Sequence, residues 1–316
     1  MTDFGLASYK AADGVRPALV IGKVFYDLDA VLAAAEPKDA PLAAAARSGL
    51  QGLFDSWASS GKKLAALAAA AGDLAAKRKI APLADAAGRL APPYRPQRIF
   101  AAASNYIEHA DEMGTVLATK ANSKPYIFMK ADSSVVGPDA TVIIPPESTQ
   151  VDWEVELAAI IGKEARHVTE AAALDYVAGY TVINDVSARD LNVRSDFPFK
   201  FDWFQGKSFD TFAPLGPWVV PASAIPDPQK LRLRLSVNGT LMQDASSEGM
   251  IFTVREQIAY LSSILTLRPG DVIATGTPTG VGMGRGIFLK DGDVMEASIE
   301  HIGTLRNPVA AAPARR

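Results

Sequence analysis

From Leu231 to Val237 apolar and polar side chains alternate without a break: Leu231, Leu233, Leu235 and Val237 on one parity, Arg232, Arg234 and Ser236 on the other. Successive side chains of a strand point to opposite faces, so this run predicts a half-buried strand. Asn238-Gly239 follows, a pair suited to a type I′ hairpin turn, and residues 240–243 return as its partner. Shorter apolar runs predict buried strands at Ile99–Ala103 and Tyr126–Lys130. Residues 153–161 read as a longer strand closed by Gly162, residues 177–185 as another, and residues 294–302 as the last. Between them, Thr169 predicts the cap of a short helix over Glu170–Tyr176. Thr253 and Glu256 have the spacing of a capping box, and Ile258, Leu261 and Leu265 share one face of the helix that follows. Arg268-Pro269-Gly270 stops it.

Before position 95 the pattern is different. Residues 18–28 read as a strand pair turning near Gly22-Lys23. Residues 40–90 are alanine-rich, with helical stretches punctuated at Gly49, Gly52, Gly61 and Gly72. Pro92-Pro93 and Pro96 stop helix formation and mark a linker. The expected division is a small α/β N-terminal domain over 1–95, a larger domain over 96–309, and a flexible tail over 310–316. Strands separated by few helices point to the α+β class and a mixed, largely antiparallel β-roll or β-sandwich.

Composition narrows the chemistry. With 48% hydrophobic and 21% charged residues among 316, the chain has the make-up of a packed globular protein. A net charge of −3 gives no electrostatic footprint for nucleic acid or an anionic membrane. The longest apolar run, residues 64–72, is under half of the roughly 20 residues a membrane span needs, and residues 1–15 have no basic start before an apolar stretch; the expected location is cytoplasmic. There is no cysteine, which excludes disulfides, thiol nucleophiles, iron–sulfur clusters and Cys-based zinc sites. Histidine occurs only at 109, 167 and 301.

The segment Val151-Asp152-Trp153-Glu154-Val155-Glu156-Leu157-Ala158 is the most informative. On a strand Glu154 and Glu156 share a face, roughly 6.5–7 Å apart along the backbone, and their carboxylates can converge on one cation. Residues 157–161 are apolar on both parities, which buries that strand. Asp185, ending the next apolar strand, supplies a third carboxylate. Oxygen ligands without His or Cys select hard cations, so Mg²⁺ or Mn²⁺ is expected, with Ca²⁺ also compatible.

His109 and Glu112 stand at i and i+3 in Asn105-Tyr106-Ile107-Glu108-His109-Ala110-Asp111-Glu112. On a helix they share a face, and a carboxylate beside an imidazole suits general-base work. Lys207, in Gln205-Gly206-Lys207-Ser208-Phe209-Asp210, can stabilise an enolate or oxyanion. A phosphate-binding loop ending in Gly206-Lys207-Ser208 fails, because position 201 is Phe201 where that loop needs glycine. The glycine-rich run from Thr275 to Gly284 is expected to bring backbone amides to an anionic substrate.

In order, Asn105-Tyr106 with His109 and Glu112, Phe128-Met129-Lys130, Asp152-Trp153-Glu154-Val155-Glu156-Leu157, Asn184-Asp185-Val186-Ser187-Ala188-Arg189-Asp190, Gly206-Lys207-Ser208-Phe209-Asp210, Met250-Ile251-Phe252 and Thr275-Gly276-Thr277-Pro278-Thr279-Gly280-Val281-Gly282 resemble the fumarylacetoacetate hydrolase superfamily over residues 98–309. The resemblance implies a homodimeric β-roll enzyme with Glu154, Glu156 and Asp185 as metal ligands. It also implies a His109–Glu112 dyad on a lid, Lys207 at the reacting centre, and substrate contacts from Tyr106, Arg189, Gln205, Gly276 and Thr277. In fumarylacetoacetase itself an earlier aspartate completes the metal site; it has no clear counterpart here, and the chain is more similar to acylpyruvase-like bacterial members. The implied reaction is hydrolysis of a C–C bond in a 2,4-dioxo acid, fumarylpyruvate or maleylpyruvate, with Arg189, Arg194 and Lys200 as candidates for a distal carboxylate. The alternative on the same centre is decarboxylation of oxaloacetate, or isomerisation and decarboxylation of a related dioate.

Overall fold

The structure, a computed structural model, describes residues 4–112, 114 and 119–313. Its centre is a large mixed sheet. Along its main path the strands run 24–27, 14–21, 4–11, 213–221, 177–184, 155–161, 272–274, 99–103 and 126–130. Neighbours pair antiparallel except Val272–Ala274 with Ile99–Ala103, which are parallel. A second, five-stranded sheet runs 240–246, 232–237, 294–299, 303–311, 142–144. The fold is therefore α+β with mixed sheets that do not close into a barrel.

Strand alternation decides which layer each residue joins. On Val155–Ile161, Val155, Leu157, Ala159 and Ile161 pack into a core shared with Leu233, Leu235, Ala297 and Leu305 of the second sheet. Ala158 and Ile160 point the other way, into a core with Leu50, Leu53, Phe54 and Leu64 of the N-terminal helices. The strand is thus covered on both faces, and every residue of it is buried. The N-terminal residues supply a helical layer over the sheet, and their strand Phe4–Ala11 extends the sheet by pairing with Ala213–Pro221. Phe54 anchors that layer, fully buried with its ring 4.8 Å from Tyr94 in a T-shaped contact. Replacing Phe54 by alanine is expected to cost about 3–5 kcal/mol, because the cavity lies between rigid layers. A denaturation midpoint shifted by much less would mean that the helices dock loosely.

Thr253 and Glu256 form the capping box in both directions, and the helix runs Val254–Ile264. The short helix over Glu170–Tyr176 is present as a 3-10 helix, but without the expected side-chain cap from Thr169. At the other end, Gly303–Ala311 continues as a strand through Ala310 and Ala311, which pair in parallel with Ile143 and Ile144. Two residues read as tail are ladder, because their partner lies far off in sequence. No described helix is long and apolar enough to cross a membrane.

Candidate functional site

Residues 151–161 and 177–188 run antiparallel as two interrupted ladders. Val155 pairs with Asn184 and Glu156 with Ile183, and beyond a gap Asp152 pairs with Ser187. In the gap, Asp185 N–H donates to the Glu154 carbonyl at 2.9 Å, and Asn184 Oδ1 accepts the Glu154 N–H at 2.9 Å. This opening turns Glu154, Glu156 and Asp185 to a common point. All three are buried, and one carboxylate oxygen from each lies within 4.8 Å of the others.

Three buried acids so close together need positive charge, and the protein supplies part of it. Lys207 Nζ donates to Glu154 Oε2 at 2.8 Å and to Asp185 Oδ2 at 2.7 Å. Lys130 Nζ donates to the other Asp185 oxygen, and Arg189 Nη2 lies 2.6 Å from Glu154 Oε1. Asp152 holds Arg189 from behind through Nε at 2.8 Å. Burial alone would raise the Glu154 carboxyl, but the Lys207 ammonium and the Arg189 guanidinium outweigh it and hold it down at about 2. Glu156 has no such partner. Burial and the charges of Asp185 and Glu154 push its carboxyl well above the usual range, against the Lys207 charge and one N–H from Gly276 at 2.8 Å. Among the described buried groups of this centre, the four carboxylates of Asp152, Glu154, Glu156 and Asp185 face three cations. The deficit sits at Glu156, inside the triad, and a hard divalent cation is the group that fits it.

A cavity of about 400 Å³ opens onto this centre. Glu154, Arg189, Lys207, Asn192, His109 and Thr277 line its polar end. His109 lies on the helix Ile107–Glu112, with Nδ1 3.7 Å from Glu112 Oε2. That is too long for a direct hydrogen bond, and Nδ1 has no other partner among the described residues. Glu112 is itself tied down, accepting the Gly280 N–H at 3.0 Å. Burial works against its charge, but His109, the Gly280 N–H and Thr279 keep its carboxyl below the usual range. At Gly284 a Cβ would sit 2.2 Å from Glu112 Cγ, so any larger residue there must displace that side chain. Where the strand Ile99–Ala103 turns into this helix, Ser104 adopts φ 49°, a left-handed backbone that serine seldom holds. Asn105 clamps the turn by donating to the carbonyls of Phe252 (2.9 Å) and Thr275 (2.7 Å) and accepting the Phe252 N–H.

The family described as Fumarylacetoacetate (FAA) hydrolase C-terminal matches residues 98–310, which hold every group just described. The chain belongs to the fumarylacetoacetate hydrolase family. Among its relatives is the mitochondrial oxaloacetate tautomerase Fahd2a of Rattus norvegicus, 43% identical over 70% of this chain and 68% of that protein. A fumarylacetoacetate hydrolase from Exiguobacterium antarcticum superposes with a TM-score of 0.74 at 33% identity, over 98% of this chain and 100% of that one. The maleylpyruvate hydrolase of Sphingobium sp. SYK-6, solved with manganese(II) and pyruvate, superposes at 0.70 with 30% identity, over the same shares.

Within this family fold the expected residues are not all at the cavity. Tyr106 is 3% exposed, and its hydroxyl has no partner among the described residues. Burial and the nearby Glu156 charge push that hydroxyl far up. Gln205 is exposed and does not line the cavity, whereas Lys207, two residues on, does. Arg194 is paired with Asp196 and Asp202 on the surface, and Lys200 is exposed, so no clamp for a distal carboxylate forms from Arg189, Arg194 and Lys200. The glycine-rich loop does present amides to anions, but to the protein's own carboxylates. Gly276 N–H serves Glu156, Gly280 serves Glu112, and Gly282 and Met283 serve Asp152 at 2.7 and 3.0 Å. Thr277 lines the cavity while its hydroxyl donates to the Val155 carbonyl.

The sequence reading gave no role to three residues of the centre. Asp152 and Lys130 stand in the quoted motifs, and burial of charge was the missing signal. Asn192 lines the cavity, is 7% exposed, and has an Oδ1 with no donor among the described residues. Gly206 makes room for it, since a Cβ there would lie 1.7 Å from that oxygen.

Proposed function

We propose that this chain is a divalent-metal-dependent enzyme that moves a proton at the carbon beside the oxo group of a 2-oxo acid. The observation that carries this reading is a cluster of three buried carboxylates whose member Glu154 lines one cavity together with His109 and Lys207. Glu154, Glu156 and Asp185 would hold Mg²⁺ or Mn²⁺. When bound, such an ion supplies a Lewis acid for the 2-oxo group and its carboxylate. His109, backed by Glu112, takes the proton from C3 or returns it to C3. Lys207 and Arg189 offset the negative charge that grows on the oxygen. Asn192 offers an acceptor at the wall. The simplest outcome is keto–enol tautomerisation of an oxaloacetate-like acid, which the oxaloacetate tautomerases among its relatives support.

A second reading rests on the size of the cavity, ample for more than a four-carbon acid. With a 2,4-dioxo acid, His109 takes its proton from water, whose oxygen bonds to C4. The C3–C4 pair then goes to C3 as a pyruvate enolate, which is protonated to pyruvate. The test is turnover with Mg²⁺ or Mn²⁺, with and without EDTA. Loss of enol absorbance from oxaloacetate without CO₂ or pyruvate marks the first reading, and pyruvate from a 2,4-dioxo acid marks the second. Pyruvate with CO₂ from oxaloacetate would instead mean decarboxylation, and inertness toward all these acids would end the proposal.

Metal uptake is expected to release protons. The raised Glu156 carboxyl holds its proton to higher pH than an ordinary carboxylate and must lose it to bind. Affinity for Mn²⁺ should therefore rise with pH, and calorimetry in buffers of different ionisation enthalpy should give a proton count above zero. A count of zero throughout the titrated pH range would show that Glu156 carries no proton before the ion binds.

A further inference from the structure

Resting on that reading, we infer that the far half of the cavity takes a flat apolar tail, so the preferred substrate is a 2-oxo acid bearing an aryl or conjugated hydrocarbon end. Trp203, at the start of the short helix that also carries Lys207, is the hub. Three rings meet it at steep angles: Tyr126 at 4.9 Å, Phe128 at 5.2 Å and Phe201 at 6.0 Å, with interplanar angles of 63°, 73° and 62°. All four line the cavity, as does Phe252. Phe128 also touches the polar end, its ring centre 5.2 Å from Lys207 Nζ. The aromatic wall is therefore continuous with the charged centre, so a molecule chelated there extends along it.

The wall is built in part by a small hairpin. Val193 bridges to Phe201, Arg194 N–H donates to the Lys200 carbonyl at 2.6 Å, and Asp202 N–H to the Asn192 carbonyl at 2.9 Å. This places Val193 and Phe201 against the cavity, although Tyr126 is 63% and Phe201 62% exposed. Aromatic surface of that extent beside a polar centre favours a ring stacked on it. Charge points the same way. Arg194 is held outside by Asp196 and Asp202, Arg189 is held by Asp152 and Glu154, and Lys120, 5.6 Å from the Phe252 ring, is held by Glu256; among the described cavity-lining cations only the exposed Lys124 stands outside such pairs. A second carboxylate there would meet rings rather than a built clamp.

The test uses acids with the same chelating head and different tails: 2,4-dioxopentanoate, 2,4-dioxo-4-phenylbutanoate and the fumaroyl analogue. Dissociation constants are measured on the Mn²⁺-loaded His109→Ala protein, which lacks the base. The phenyl tail should bind about 10–100-fold tighter than the methyl tail, the range set by filling an apolar pocket. Trp203→Ala and Tyr126→Ser should each shrink that ratio severalfold. A ratio near one, a ratio unchanged in both variants, or a fumaroyl tail as tight as the phenyl one would overturn the inference while leaving the reaction class standing. If no 2-oxo acid binds, the proposed function falls with it.

Discussion

His109→Ala is expected to lower kcat by about 10²–10⁴-fold, the usual contribution of a positioned base, while Mn²⁺ binding stays as it is. The separation follows from the geometry. His109 lines the cavity, and the carboxylates of the triad are held by other elements, through Lys130, Lys207, Arg189 and Gly276. Its Nδ1 has no hydrogen-bond partner among the described residues, so alanine orphans no buried group. Gly284→Ala reaches the same step from outside: a Cβ there meets Glu112 Cγ at 2.2 Å and must move the carboxylate behind the imidazole. It should lower kcat more than it changes KM, and shift the pH profile, because Glu112 acts on His109 and not on the substrate. Full turnover in the His109→Ala protein would remove this residue from the mechanism, whatever the metal does.

The cluster of three acids was legible because its geometry is local. Strand alternation sets Glu154 and Glu156 on one face, and the apolar run after them declares burial, so two of the three acids follow from eight residues of sequence. The hairpin over 232–246 and the Thr253–Glu256 cap were legible for the same reason. What stayed hidden depends on pairings across the chain. Lys130 ends a strand whose other residues are half-buried or exposed, and its partner Asp185 is 55 residues away. The amides of the glycine-rich loop face carboxylates more than a hundred residues distant, and no local pattern says that Asp152 and Glu156 have claimed them. The wall around Trp203 likewise sets Tyr126 and Phe128, from one strand, against Phe201 and Trp203 of a segment far along the chain.

The largest contrast in stability should come from two members of the triad. Asp185 is bonded by two buried ammonium groups, Lys130 and Lys207. Asp185→Asn removes their shared counter-charge and is expected to destabilise the metal-free protein by about 3–5 kcal/mol, as for a broken buried ion pair. Glu156→Gln should do the opposite or nothing, because it replaces a carboxyl that burial, Asp185 and Glu154 make costly to ionise, while a Gln oxygen can still accept the Gly276 N–H. The pH dependence has a definite sign. Glu156 holds its proton longer in the folded protein than in the unfolded chain, so its contribution is present at low pH. It is lost as pH rises from the ordinary carboxylate range toward the raised folded value, and Glu156→Gln should flatten that slope. Both variants should lose the stabilisation that Mn²⁺ gives the wild type, about 2.7 kcal/mol at a hundredfold excess over Kd. Urea denaturation with and without Mn²⁺ reads all of this at once. A Glu156→Gln protein that kept its full Mn²⁺ response would show that the ion does not sit among these carboxylates. One that fell as far as Asp185→Asn without metal would show that Glu156 is paired rather than repelled.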